Sequence, residues 1–188
     1  MTSPPIIEPA TTEPATTAPT IIDDVLVPDL AVVFCGMAAG PKSAREKTPY
    51  IGPNNKFWPT LKALGLVPGD FRPQAFRDLP RYGIGLTDVA KTQWGVDSKI
   101  TVTADDVRRL RAAIRTAKPR RLAFVGKTAA AHFFGCATKD LALGRQAEPW
   151  DGAAVFVLCS TSARAHPHWR PECWHALAAD IRRGISRT

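Results

Sequence analysis

Short, uninterrupted apolar runs, each followed by a glycine or polar loop and then a helix-like stretch, constrain this chain most. Leu30-Ala-Val-Val-Phe-Cys35 stops at Gly36, and Arg121–Gly126 leads directly into Lys127–Phe134. Ala154–Cys159 gives way to the polar stretch Ser160–His168 and then to a closing helix from Pro171 to about Arg183. Such runs lack the polar alternation of a half-exposed strand, so they fit strands covered on both faces, as in a parallel sheet. Tyr82–Val89 reads as one more strand, and Gly36–Tyr50 as a loop. A helix is expected over Asn54–Leu64, opened by Pro53. Another starts at an N-cap in Thr103-Ala-Asp-Asp106 and runs through Val107, Leu110 and Ile114 until Pro119 stops it. Its polar face carries Arg108, Arg109, Arg111 and Arg115. Strands alternating with helices predict an α/β fold: a single three-layer domain with a central, mostly parallel sheet flanked by helices. Ligands of such sheets bind beyond the carboxyl ends of the strands, which singles out the loops after Cys35 and Cys159.

The first 24 residues stand apart. They repeat Glu-Pro-Ala-Thr-Thr at 8–12 and 13–17 and show almost no apolar periodicity. Such a segment buries too little surface to offset its ordering entropy, so residues 1–24 read as a disordered Pro/Thr-rich tail and 25–188 as the domain. The tail has neither the basic start nor the apolar run of a signal peptide, and no stretch reaches transmembrane length. The expectation is a soluble protein of the bacterial cytoplasm and nucleoid. The tail also holds four acidic residues and no basic one, so a net charge of +8 for the chain leaves +12 on the remainder. A balance of that sign attracts polyanions, nucleic acid first among them. The four cysteines, Cys35, Cys136, Cys159 and Cys173, are scattered without a C-x-x-C pair, which favours reduced, buried thiols over zinc or iron–sulfur ligation. Neither G-x-G-x-x-G nor G-x-x-x-x-G-K-[ST] occurs, so the corresponding nucleotide sites lose support.

Five motifs occur in register. Val32-Val-Phe-Cys-Gly-Met-Ala-Ala-Gly-Pro-Lys-Ser43 resembles V-V-F-C-G-I-N-P-G-L-S-S, the opening of the mismatch-specific branch of the uracil-DNA glycosylase superfamily. Pro49-Tyr50 and Pro53-Asn-Asn-Lys-Phe-Trp58 are similar to its P-F and P-x-N-R-F-W. Tyr82–Thr87 resembles Y-x-x-G-V-T, and Pro119–Lys127 resembles P-x-x-x-A-I-L-G-K. Val157-Leu-Cys-Ser-Thr-Ser162 stands where that branch has V-L-P-N-P-S-G-L-S. The resemblance spans about residue 25 to the end. It implies a uracil-DNA glycosylase-like fold and a base-excision repair enzyme that flips uracil out of DNA and hydrolyses its glycosidic bond, leaving an abasic site. It implies a monomer acting on uracil-containing DNA with no membrane, metal or cofactor. Hypoxanthine or another deaminated base, or binding of uracil or abasic sites without cleavage, are the alternatives.

The departures from the pattern shape the expected site. The asparagine expected to hold the attacking water is replaced by Ala38, and the second motif carries Ser160 for asparagine and Arg164 for the wedge leucine. Asn55, at the asparagine of P-x-N-x-F-W, is the preferred replacement for positioning water, although it can equally cap its loop. Asp88 stands where other branches read uracil through asparagine. It can accept the base N3–H, activate water, or end a strand beside an arginine. Ser160 completes the catalytic candidates as a hydroxyl donor to the leaving base. Gly36, Met37 and Ala38 offer close backbone approach to the base, Tyr50 a stacking ring, and Ser162 another donor. Lys42, Ser43, Lys56, Arg164 and His166 are expected to contact DNA. His166 and His168 form an H-x-H with no evident third metal ligand.

Overall fold

Side chains alternate across a strand, so a run such as Val32–Cys35 must bury both of its faces. The computed structural model, which describes residues 19–185, bears this out. In β1 (Val32–Gly36), Val32 and Phe34 enter one core while Val33 and Cys35 enter the other. The same division recurs in β3 (Arg121–Val125), where Ala123 and Val125 oppose Leu122 and Phe124. In β5 (Ala154–Leu158), Phe156 and Leu158 oppose Val155 and Val157. With β2 (Ile84–Asp88) and the two-residue β4 (Gly144–Arg145), these form one five-stranded sheet in the order β2-β1-β3-β5-β4. All pairings are parallel except that of β4 with β5. The three-layer α/β expectation therefore holds, with an antiparallel edge that sequence alone does not announce.

Helices cover both faces. The first core takes Phe57, Trp58 and Leu61 of α2 (Phe57–Ala63) and Trp174, Leu177 and Ile181 of α5 (Glu172–Ile185). The second takes Leu110 and Ile114 of α3 (Ala104–Ala117) and Ala129, Ala130 and Phe133 of α4 (Lys127–Phe134). Thr103 caps α3 through a reciprocal capping box with Asp106. The expected loop Gly36–Tyr50 contains a further helix, α1 (Pro41–Glu46), six residues long and started by proline at its first position. A helix this short has too few turns to reveal itself by periodicity. A 3-10 segment, Pro73–Tyr82, similarly precedes β2.

The domain begins earlier than composition suggests. Residues 1–18 of the expected tail lie outside the described residues, but 19–24 are part of the fold. Ile22 is buried, Ile21 N–H donates to Lys91 O at 2.7 Å, and Val25 bridges Leu86 in antiparallel fashion. Asp24 forms ion pairs with Lys91 (2.9 Å) and Arg109 (3.1 Å). These six residues have polar neighbours in sequence but apolar and charged partners in space, which a compositional boundary cannot register.

Candidate active site

The connection from β1 runs toward β2, and that from β3 runs the other way toward β5. The chain therefore leaves a crevice where β1 and β3 end, flanked by β2 and β5. Gly36 closes β1 directly opposite Asp88, the last residue of β2. Across the crevice, a side chain on Gly126, which has φ +115°, would meet Ser160 Cβ at 3.5 Å. The loops after Cys35 and Cys159 thus lie at one end of the sheet, as expected.

Three residues meet most closely. A Cβ on Gly36 would overlap Asp88 Oδ1 and stand 2.6 Å from Tyr50 Oη, so only glycine fits between the carboxylate and the phenol. Tyr50 adopts φ 58°, in the left-handed region. It is held there from both sides, with Trp58 Nε1–H donating to Pro49 O at 2.8 Å and Ile51 N–H to Ser43 Oγ at 3.3 Å. Its ring stacks on Phe57 with centroids 3.9 Å apart, so a base stacking on Tyr50 must use the opposite face. Phe57 in turn packs against Phe34 and Trp174 at 5.4 and 6.1 Å, which anchors the ring pair to the core.

The polar ends of this trio lack partners. Tyr50 Oη is buried without a hydrogen bond, and the Asp88 carboxylate makes no hydrogen bond or ion pair among the described residues. Burial, followed by the nearby Asp88 charge, pushes the Tyr50 hydroxyl well above its ordinary range. Burial also raises Asp88, against the opposing charges of Lys91 and Arg109. Those cations are engaged elsewhere. Both pair with Asp24, and Arg109 also donates to the backbone carbonyls of Asp88 (2.5 Å) and Val89 (3.1 Å). The expected arginine beside Asp88 therefore holds its main chain and leaves its carboxylate unpaired.

The other candidates divide. Asn55 Oδ1 accepts the Phe57 N–H at 2.9 Å, the turn-capping arrangement, leaving the amide NH2 and one lone pair for other partners. Lys56 N–H donates to Thr161 O at 2.9 Å and joins the Asn55 loop to the second motif; its ammonium lies 5.5 Å from the Trp169 ring centre. Ser160 Oγ accepts Ser162 N–H at 3.3 Å, so one lone pair serves the loop. Met37 is buried, and its carbonyl accepts Ala90 N–H at 2.9 Å, while the adjacent Ala38 is half-buried. Ser43 is buried, and its hydroxyl accepts the Ile51 N–H beside the Tyr50 turn. Lys42 and Arg164 are exposed, and His166 is half-buried with Nε2 enclosed and unpartnered. No group of three metal-ligating side chains exists among the described residues.

The chain matches the family model of the uracil DNA glycosylase superfamily over residues 24–179. It belongs to that superfamily. Membership makes DNA the substrate and glycosidic cleavage the activity, and the match begins at Asp24, inside the segment that composition assigned to the tail. No helix among the described residues is long and apolar enough to cross a membrane.

Three features escaped sequence reasoning. The Asp24–Lys91–Arg109 cluster joins residues distant in sequence and carries no motif. Cys159 and Cys173 touch at 3.7 Å between sulfurs. The hydrogen bond from Cys173 lowers the Cys159 thiol to about 6 and raises that of Cys173, a contact the scattered spacing conceals. The third is Trp94, an exposed ring on the stretch that follows β2.

Proposed function

We propose that this glycosylase excises uracil from DNA by simple hydrolysis, in the manner of the mismatch-specific branch. The observation that carries this is the meeting of a half-buried carboxylate that has no hydrogen bond and a buried, unpartnered phenol over Gly36 at the carboxyl end of the sheet. Groups removed from water without partners cost free energy unless a ligand supplies the partners.

In this reading the extruded base stacks on the free face of Tyr50, a contact worth about 1–3 kcal/mol. Gly36 gives it room, and Asp88 meets its N3–H edge. Its carboxylate oxygens accept from the N3–H of uracil. The hydroxyls of Ser160 and Ser162 and main-chain N–H groups of 37–40 stabilise the negative charge of the departing base. Asn55 positions water through the part of its amide that the Phe57 cap leaves free. No lysine attacks the sugar, so the product is an abasic site.

The test is incubation with uracil-containing oligonucleotides in a chelator, followed by alkali. Strand breaks only after alkali are the expected result. Excision that needs a divalent ion would reject the metal-free route, and breaks before alkali would reveal a lyase. A second reading, damage binding without cleavage, is favoured by Ala38 together with the use of Asn55 Oδ1 as a cap. Tight binding with no base release would select it.

A further inference from the structure

Trp94 is 57% exposed, the most open large apolar side chain among the described residues, and its ring touches no other aromatic or cation there. A single exposed aromatic needs no explanation, but this one is built into place. Gln93 clamps the base of its loop, donating to Thr101 O at 2.6 Å and accepting Thr101 N–H at 3.0 Å. Gly95, at φ 146°, donates to Ala39 O at 2.9 Å, and Trp94 bridges Ala39 in parallel. The ring is therefore displayed from a loop fastened to the first motif, next to the crevice. Opposite it stands Arg164 of the second motif.

Between them lies an open groove of about 500 Å³ lined by Pro41, Trp94, Val96, Ser98, Lys99 and Arg164. That is within the range of small-ligand clefts, roughly 300–1,000 Å³. Its polar rim is basic, since Lys99 and Arg164 are exposed and form no ion pair among the described residues. The nearby Asp97 is raised by burial, and its charge reaches Tyr50 and Asp88 on the pocket side. A flat apolar ring facing two unpaired cations matches one chemistry well: a base with its phosphate.

We propose that the Trp94–Arg164 groove receives an unpaired nucleotide of the DNA beside the extruded one, its base on the Trp94 ring and its phosphate on Arg164 and Lys99. The groove holds a neighbour in register while the damaged base occupies the crevice under Tyr50. It favours substrates already open at that neighbour, because extracting a base from a paired stack costs a few kcal/mol. This inference rests on the DNA substrate of the superfamily and adds a second nucleotide site to it.

The test uses the full chain, Trp94→Ala and Trp94→Phe, with a labelled uracil-containing oligonucleotide as single strand and as duplex. Anisotropy should show Trp94→Ala binding the single strand about 5- to 100-fold more weakly, with a smaller change on duplex, while Trp94→Phe stays within a few-fold of wild type. Thermal unfolding of the variants should stay close to wild type, because the ring is 57% exposed and stacks on no other aromatic among the described residues. Single-strand affinity unchanged in Trp94→Ala, with wild type binding well, overturns the groove alone. Wild type binding neither form overturns the DNA reading and the groove with it.

Discussion

Asp180 and Asp88 are carboxylates at opposite ends of the sheet, the first buried and the second half-buried. Asp180 faces Arg121, the first residue of β3. It accepts from Arg121 Nε at 2.5 Å and from Arg145 and Arg183 at 3.2 Å each, while its backbone carbonyl takes a further bond from Arg121 at 2.7 Å. Burial would raise it, but the Arg121 hydrogen bond and charge outweigh that and hold it below the ordinary carboxylate range. Asp88 closes β2 with its carboxylate unpaired and raised. One acid has more partners than it needs, and the other has none although two cations lie nearby. Full satisfaction marks a group that holds the fold. At Asp88 the two nearby cations pair with Asp24 instead, which leaves its carboxylate without an ion pair.

The largest expected effect is on catalysis. Asp88→Ala should lower single-turnover cleavage of uracil-containing DNA by roughly 10²–10⁴-fold, with little change in folding. Loss of fold with normal cleavage by the remaining folded molecules would exchange the roles of the two acids. Asp180→Asn should do the reverse, costing about 3–5 kcal/mol in denaturant unfolding because Arg121 is left buried with its charge unanswered. Cleavage per folded molecule should stay near wild type.

The pH dependence sharpens the same contrast. Asp88 binds its proton more tightly folded than unfolded, so its contribution is present at low pH and is lost as pH rises from the unfolded value near 3.8 through the raised folded one. Asp180 has the opposite sign, stabilising above that unfolded value and losing its effect as pH falls through the lowered one. Stability of Asp88→Asn measured across the acid range should therefore lack the wild-type decline on the alkaline side. An unchanged slope would place the raised titration elsewhere.

The smallest effect concerns the rim. Arg164→Ala should weaken binding by about a few-fold, more on the single strand than on the duplex, and flatten the salt dependence by about one counterion. Slower excision from duplex only, at equal salt, would restore the wedge role implied by its motif position and withdraw the phosphate contact.

The strands were legible because apolar runs of five or six residues have few other uses, and β1, β3 and β5 fall within one or two residues of the runs that announced them. The N-cap at Thr103 was legible for a local reason too, since capping is decided within four residues. What sequence concealed is what forms across distance or in too few residues. Helix α1 is too short to show a period, and Ser43 looks like a loop hydroxyl until Ile51 is found donating to it. At the site, the carboxyl-end rule pointed to the loops after β1 and β5, while the register of Gly36 with Asp88 is seen only in the structure. The vacancy of Asp88 was not readable, because it depends on Asp24, 64 residues earlier, drawing Lys91 and Arg109 away.

That arrangement gives the first ordered segment the standing of a built-in counterion. Lys91 keeps 4% of its side chain in contact with solvent, and the carboxylate that answers it arrives from the end of a Pro/Thr-rich stretch. A chain trimmed at Val25 would start with its hydrophobic domain nearly whole and its charge ledger broken. The stranded ammonium would then act on Asp88, whose carboxylate already feels its charge.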